Sequence, residues 1–295
     1  MRAFTWFLLL FAVAFAVVAV ATYPVWLLLH PHFDFPFHRI GERIGMLALA
    51  VGFVLVARHL GLADRASLGY GLPRRLFVRE MLTGLALGVA TMLVVVGVMS
   101  ALGLLEWSRA STIGAGALAQ LIVARLLSGL IVALIEETFM RGAMYTAIER
   151  ESGVRIAVLL TALLYAASHF FGKVRIAPDD VTAWSGVALL TQSLQAFAHF
   201  SGILDAFLAL AAVGVVLALV RHATGNIAAC LGLHAGWVWV MLVAHELTAP
   251  RREAPLGFLL SRFDGFVGWL VLGGTALMAV PLWRFFQRRA RRAGG

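Results

Sequence analysis

Cysteine is almost absent from this chain. Cys230 stands alone, so no internal disulfide can brace the fold. Charge is scarce as well: Asp, Glu, Lys and Arg make up 13% of the 295 residues, against 61% hydrophobic ones. Soluble domains rarely reach that apolar share. Acidic residues number 15 and basic residues 24, for a formal net charge of +9. This excess does not describe a nucleic-acid partner, because the basic residues are dispersed among the ends of hydrophobic segments. Low-complexity segments and internal repeats are also missing.

Long apolar runs fill the chain instead, several at or above the ~18 residues that mark a membrane span. They predict an all-α polytopic membrane protein with about eight transmembrane helices. These fall at residues 4–29, 41–56, 81–105, 117–150, 154–170, 203–220, 227–247 and 266–283. The connections are short, so 1–295 reads as a single integral membrane domain with a core at 117–247. The first run passes a signal-peptidase-like Ala19-Val20-Ala21 and continues, which favours an uncleaved helix. Between the fifth and sixth spans, Leu190, Leu194 and Phe197 fall at helical spacing and predict a segment along the interface. With the N-terminus inside, inner segments hold fourteen Lys and Arg and outer ones, Lys173 among them, hold eight. That asymmetry predicts N-in, C-in. The alanine- and arginine-rich composition points to a bacterial inner membrane, with lipids as the first partner.

Against this apolar background, residues 136–141 read Glu-Glu-Thr-Phe-Met-Arg at the end of the fourth span. Ionisable residues inside a span are costly, and function is the default reading for them. Glu137 and Arg141 are an i,i+4 pair on one helix face. Glu136 points about 100° away, which predicts a structural Glu137–Arg141 pair and a chemically available Glu136. The bland alternative has both carboxylates neutralised by Arg141 and Arg125.

Two histidines share the depth of this motif. Glu136 lies 14 residues before Arg150, His169 lies 14 after Arg155, and His234 lies 13 after Arg221. At 1.5 Å per residue each is about 20 Å from the inner arginine level. Carboxylate plus imidazole is general-base chemistry that can activate a water, and a second imidazole can support an oxyanion. Hydrolysis of an acyl bond inside the membrane follows. Two His and one Glu could also hold zinc with an open position, although there is no His-Glu-x-x-His motif. Cys230, one turn before His234, reads as a packing residue. His245 and Glu246 read as a solvated helix end. Gly232 and Gly236 are spaced small-x-x-x-small and predict close helix packing.

These motifs resemble those of the CAAX-processing and bacteriocin-processing (Abi-type) intramembrane proteases. Glu136, Glu137 and Arg141 match Glu-Glu-x-x-x-Arg in full. Tyr165 and His169 match Phe-x-x-x-His with Tyr in place of Phe. His234 opens His-x-x-x-Asn, but Val238 fills the last position. The resemblance implies that Glu136 and His169 activate water, that His234 supports the oxyanion, and that Glu137 and Arg141 hold the site in shape. At Val238 it implies a missing hydrogen bond, for which Asn226, Trp237 or Trp239 are the neighbouring substitutes. It implies an intramembrane endopeptidase acting near the membrane surface on a peptide or protein with a hydrophobic or lipidated C-terminal segment. No cofactor is expected, with zinc through Glu136, His169 and His234 as the alternative. A catalytically inactive scaffold, an immunity-type protein and a proton-coupled transporter are the rival classes.

Overall fold

The computed structural model of the protein describes residues 1–171 and 174–294. Lys173, counted above among the outer basic residues, lies outside them. The chain is almost wholly helical: α1 (Arg2–Leu29), α2 (Phe37–His59), α3 (Arg74–Ala101), α4 (Ala115–Glu137), α5 (Tyr145–Ser152), α6 (Val154–Ser168), α7 (Ser185–Ser193), α8 (Gln195–Ala198), α9 (Leu204–Thr224), α10 (Ala228–Leu247) and α11 (Trp269–Gly294). A π-helical stretch, Thr138–Met144, joins α4 to α5 without a break. The strands are two-residue pieces, β1 (Leu105–Glu106) and β2 (Ala249–Pro250), paired antiparallel.

Among the described residues seven helices are long and apolar enough to cross a membrane, with the α4–α5 run of 38 residues counted as one. The fifth expected span is the exception. Helix α6 has 15 residues, roughly 22 Å at the helical rise, and so falls short of a full ~30 Å core. Large apolar side chains stand exposed along the spans, among them Ile135 at 64%, Val94 at 63% and Leu277 at 80%. Outward-facing apolar surface of this kind is what lipid covers, and the protein is an integral membrane protein.

Two compact units make up the chain. One comprises residues 1–63 and 167–202. In it α1 packs against α2, and α7 packs against α1. The segment expected to lie along the interface is therefore held by protein on one side: Leu189 is buried, and α7 approaches α1 closely where Gly186 meets Ala19. The expected helical spacing does not persist. The chain bends after Ser193, leaving Leu194 exposed and the Phe197 ring against Phe170 and Phe171.

The second unit, residues 64–166 and 203–295, carries most of the motifs. Its central seam is α3 against α10. The expected Gly232/Gly236 packing is present, and α3 answers it with Gly84 and Gly88. A Cβ on Gly236 would stand 2.7 Å from Leu85 O and 2.8 Å from Val89 N, so only hydrogen fits between these backbones. The apolar core continues along Met92, Val95, Val96, Met99, Leu104 and Phe266. Gly153 reverses the chain between α5 and α6 at φ 81°, a left-handed value that side chains resist.

Candidate functional site

Glu136 and Glu137 close α4, and the backbone widens into the π-helix immediately after them. The Tyr145 N–H bonds to Met140 O, five residues back, where an α-helix would use Arg141 O four residues back. The Arg141 carbonyl receives another donor: Nε of Arg221, on α9, at 3.0 Å. Arg221 is buried and also donates from Nη2 to Thr146 Oγ1 at 3.1 Å. Single-turn π segments occur frequently at functional sites. Here the wide turn follows the two carboxylates directly.

Despite the wider turn, Glu137 and Arg141 meet. Both side chains are fully buried, and Arg141 Nη1 donates to Glu137 Oε1 at 3.1 Å. Arg141 Nη2 donates to Gly214 O at 3.2 Å, and its guanidinium lies 4.6 Å from the centre of the Tyr165 ring. Glu137 Oε1 also meets His234 Nδ1 at 2.8 Å. A carboxylate accepts, so His234 carries its proton on Nδ1 and directs Nε2 elsewhere. Nε2 lies 3.9 Å from Glu136 Oε2 and 3.4 Å from the Tyr165 hydroxyl. Helix α10 comes this close to α4 because Gly129 has no side chain: a Cβ there would stand 2.9 Å from Ala235 O.

The two carboxylates differ as the sequence leads one to expect. The Glu137 side chain has no solvent exposure, whereas that of Glu136 is 30% exposed. Glu136 Oε2 is nonetheless buried without a hydrogen-bond partner. A carboxylate oxygen in that state can accept a hydrogen bond from a donor brought to it.

Glu136, Glu137, Arg141, Tyr165 and His234 thus converge in the second unit. His169, just beyond the end of α6, belongs to the first. Val238 sits one turn past His234 on α10 and is half-buried. The three neighbours named as substitutes for its missing amide are committed elsewhere. Trp237 Nε1 donates to Thr91 Oγ1 and Trp239 Nε1 to Ile122 O, each at 2.9 Å. The Asn226 side chain donates to Thr224 O and accepts from Ala228 N–H.

Two side readings need correction. Arg125 does not neutralise the Glu-Glu pair; it bonds Glu246 on α10, whose carboxylate also takes Arg109 Nη1 at 2.9 Å. Glu246 is therefore an ion-paired residue rather than a solvated helix end, and the His245 ring lies against Phe266, tilted by 44° with 3.9 Å between ring centres. Cys230 is a buried packing residue whose thiol donates to Leu217 O. Sequence reasoning took Arg221 for one more inner-face anchor. An arginine after an apolar run gives the same signal whether it turns to the headgroups or inward to a backbone carbonyl.

A zinc site takes three protein donors and an open position. In the second unit Glu136 Oε2 and His234 Nε2 lie 3.9 Å apart. Among the described residues no group of three His, Cys, Asp or Glu is arranged to hold a metal ion.

Comparison with known proteins bears on the same stretch. Residues 118–240, which hold every motif discussed, match the Rce1-like family, the type II CAAX prenyl endopeptidases. Comparisons with curated proteins and with solved structures find no match. Across this motif-bearing core, which is less than half of the chain, the protein is similar to the Rce1-like CAAX prenyl endopeptidases.

Proposed function

We propose that this protein is an intramembrane endopeptidase whose Glu136 carboxylate activates the attacking water. The observation that carries the reading is the division of labour between adjacent glutamates. Glu137 is spent on Arg141 and His234, and Glu136 keeps a buried oxygen that nothing satisfies beside His234 Nε2. Glu136 takes a proton from water as its oxygen attacks the peptide carbonyl. The same carboxyl then returns the proton to the leaving amine, giving one new carboxylic acid and one new amine. His234 is oriented by Glu137 through Nδ1. When Nε2 is also protonated, it donates to the developing oxyanion. For His169, the proposed part in activating water rests on its place in the Tyr165-x-x-x-His169 motif.

The substrates proposed are peptides or proteins with a hydrophobic or lipidated C-terminal segment, since a site between apolar helices selects partners that already lie in the bilayer. The test is cleavage of a panel: isoprenylated C-terminal cysteine peptides, the same peptides without lipid, and peptides ending in a hydrophobic helix. Cleavage of the first or third class and not of the second is expected. Hydrolysis of none favours a scaffold, and proton-coupled solute uptake favours a transporter.

We further propose a bacterial inner-membrane location with both termini inside. A phosphatase active only outside the cytoplasm, fused after Arg292, should be silent. A strong signal from it would reject that orientation.

A further inference from the structure

At one end of the second unit α3 begins, α9 turns into α10, and α11 runs out into the basic tail. A cavity of about 230 Å³ lies among them, walled by Leu72, Leu76, Arg79, Glu80 and Arg289 and closed by the turn that carries Thr224 and Asn226. None of these residues takes part in the proposed hydrolysis. The Thr224 and Asn226 side chains donate to backbone carbonyls of their own turn. The cavity's chemistry therefore lies in its arginines.

Most basic residues at this end are ordinary. Arg74, Arg75, Arg284 and Arg288 are exposed, as anchors among the headgroups are. Arg289 is different. Glu80, whose side chain is only 12% exposed, accepts from Arg289 Nε through both oxygens, at 3.0 and 2.9 Å. These bonds fix the guanidinium through Nε and leave its Nη hydrogens unspent. Arg79 Nη2 lies 3.6 Å from the same carboxylate, on a side chain that is 56% exposed. Two cations thus share one anion, and the cavity wall carries a surplus positive charge.

Apolar surface adjoins each arginine. Phe285, one turn before Arg289 on α11, is 41% exposed, and Leu82, one turn past Arg79 on α3, is 53% exposed. Lipid covers such faces. An anion that meets both the guanidiniums and these faces must itself be amphipathic, with a negative head and a hydrocarbon tail. A guanidinium fork takes two phosphate oxygens at once.

We infer that this cavity binds the headgroup phosphate of an anionic phospholipid, held by Arg289 and Arg79, with the acyl chains along Phe285 and Leu82. Basic pockets between membrane helices hold such headgroups. Glu80 aims Arg289 while leaving the pair of arginines with net positive charge. Phosphatidylcholine offers the same phosphate but brings a cation against the arginines, so the site selects against it. The site is independent of the endopeptidase reading, and its test needs no peptide.

The full chain, stripped of lipid in detergent micelles, is titrated with phosphatidylglycerol, phosphatidylcholine or inorganic phosphate. Native mass spectrometry counts the bound lipid, and thermal unfolding reads its effect. Phosphatidylglycerol should be retained and raise the melting temperature, and the other two should do neither. Arg289→Lys keeps the charge and the pairing with Glu80 but loses the fork, and should weaken phosphatidylglycerol binding about tenfold or more, as expected for one lost charge-assisted hydrogen bond. Arg288→Lys, at the exposed neighbouring position, should leave the affinity unchanged. Should Arg289→Lys fail to fold, Arg79→Gln, on a largely exposed side chain, reads the same affinity and should lower it. Equal affinities in wild type, Arg289→Lys and Arg79→Gln would overturn the site. So would an equal loss in Arg288→Lys, because the attraction would then belong to the basic tail as a whole. Equal protection by inorganic phosphate would assign the cavity to a soluble anion and overturn the lipid.

Discussion

Glu136→Gln will cut peptide hydrolysis by about 10²–10⁴-fold, the usual contribution of a positioned general base, and leave the melting temperature at its wild-type value. The substitution keeps the shape of the side chain and removes only its capacity to take a proton. Stability is spared because Glu136 holds nothing in place. Its side chain is 30% exposed, its Oε2 has no hydrogen-bond partner, and its approach to His234 Nε2 is 3.9 Å. Thermal unfolding and turnover, measured on the same preparation, check both halves. An active Glu136→Gln would show that the roles of the two glutamates have been exchanged.

Glu137→Gln will act mainly on the fold. The Glu137 and Arg141 side chains are both fully buried. Neutralising one leaves the other as an uncompensated charge in a low-dielectric interior, which typically costs ~3–5 kcal/mol. The loss should appear as low yield of folded protein and a much lower melting temperature. Removing the orphaned charge should reverse it: Glu137→Gln combined with Arg141→Met recovers most of the stability, since the cost of breaking a buried pair lies in the charge left behind. The double variant should still hydrolyse little, because His234 loses the carboxylate that fixes its Nδ1. A Glu137→Gln protein as stable as the wild type would mean that the pair does not hold the site together.

Much of this arrangement is legible in the sequence, for identifiable reasons. The spans are legible because a lipid-facing helix must be apolar over most of its length, and α1, α2, α3, α9, α10 and α11 all lie where the runs place them. The Glu137–Arg141 pair is legible because i,i+4 spacing brings side chains together whenever the backbone is near-helical. His234 meets Glu137 and lies 3.9 Å from Glu136, as a shared depth leads one to expect, although Arg221, from which that depth is counted, turns inward to a backbone carbonyl.

The failures share a cause. Periodicity assumes an α-helix throughout, so the π turn at Thr138–Met144 leaves no trace in a 100° wheel. Arg221 is hidden for a related reason. Its partner is a backbone carbonyl that only the π turn makes available, and no spacing rule points a side chain at a backbone atom 80 positions away. Glu246 misleads in the opposite way. A charged residue near a helix end reads as solvated, and its pairing with Arg125 and Arg109 depends on α4 and α10 running side by side. The fifth expected span outruns α6 because the apolar run continues to residue 170, beyond the point where the backbone leaves the helix.

The proposed mechanism requires that the chain's own carboxylate, and not a bound metal, activates the water. The direct measurement is cleavage of the preferred panel peptide in ¹⁸O-water, before and after exhaustive treatment with a zinc chelator. One ¹⁸O in the new carboxyl group and an unchanged rate after chelation are the expected results. A rate lost on chelation and restored by added zinc would contradict the mechanism.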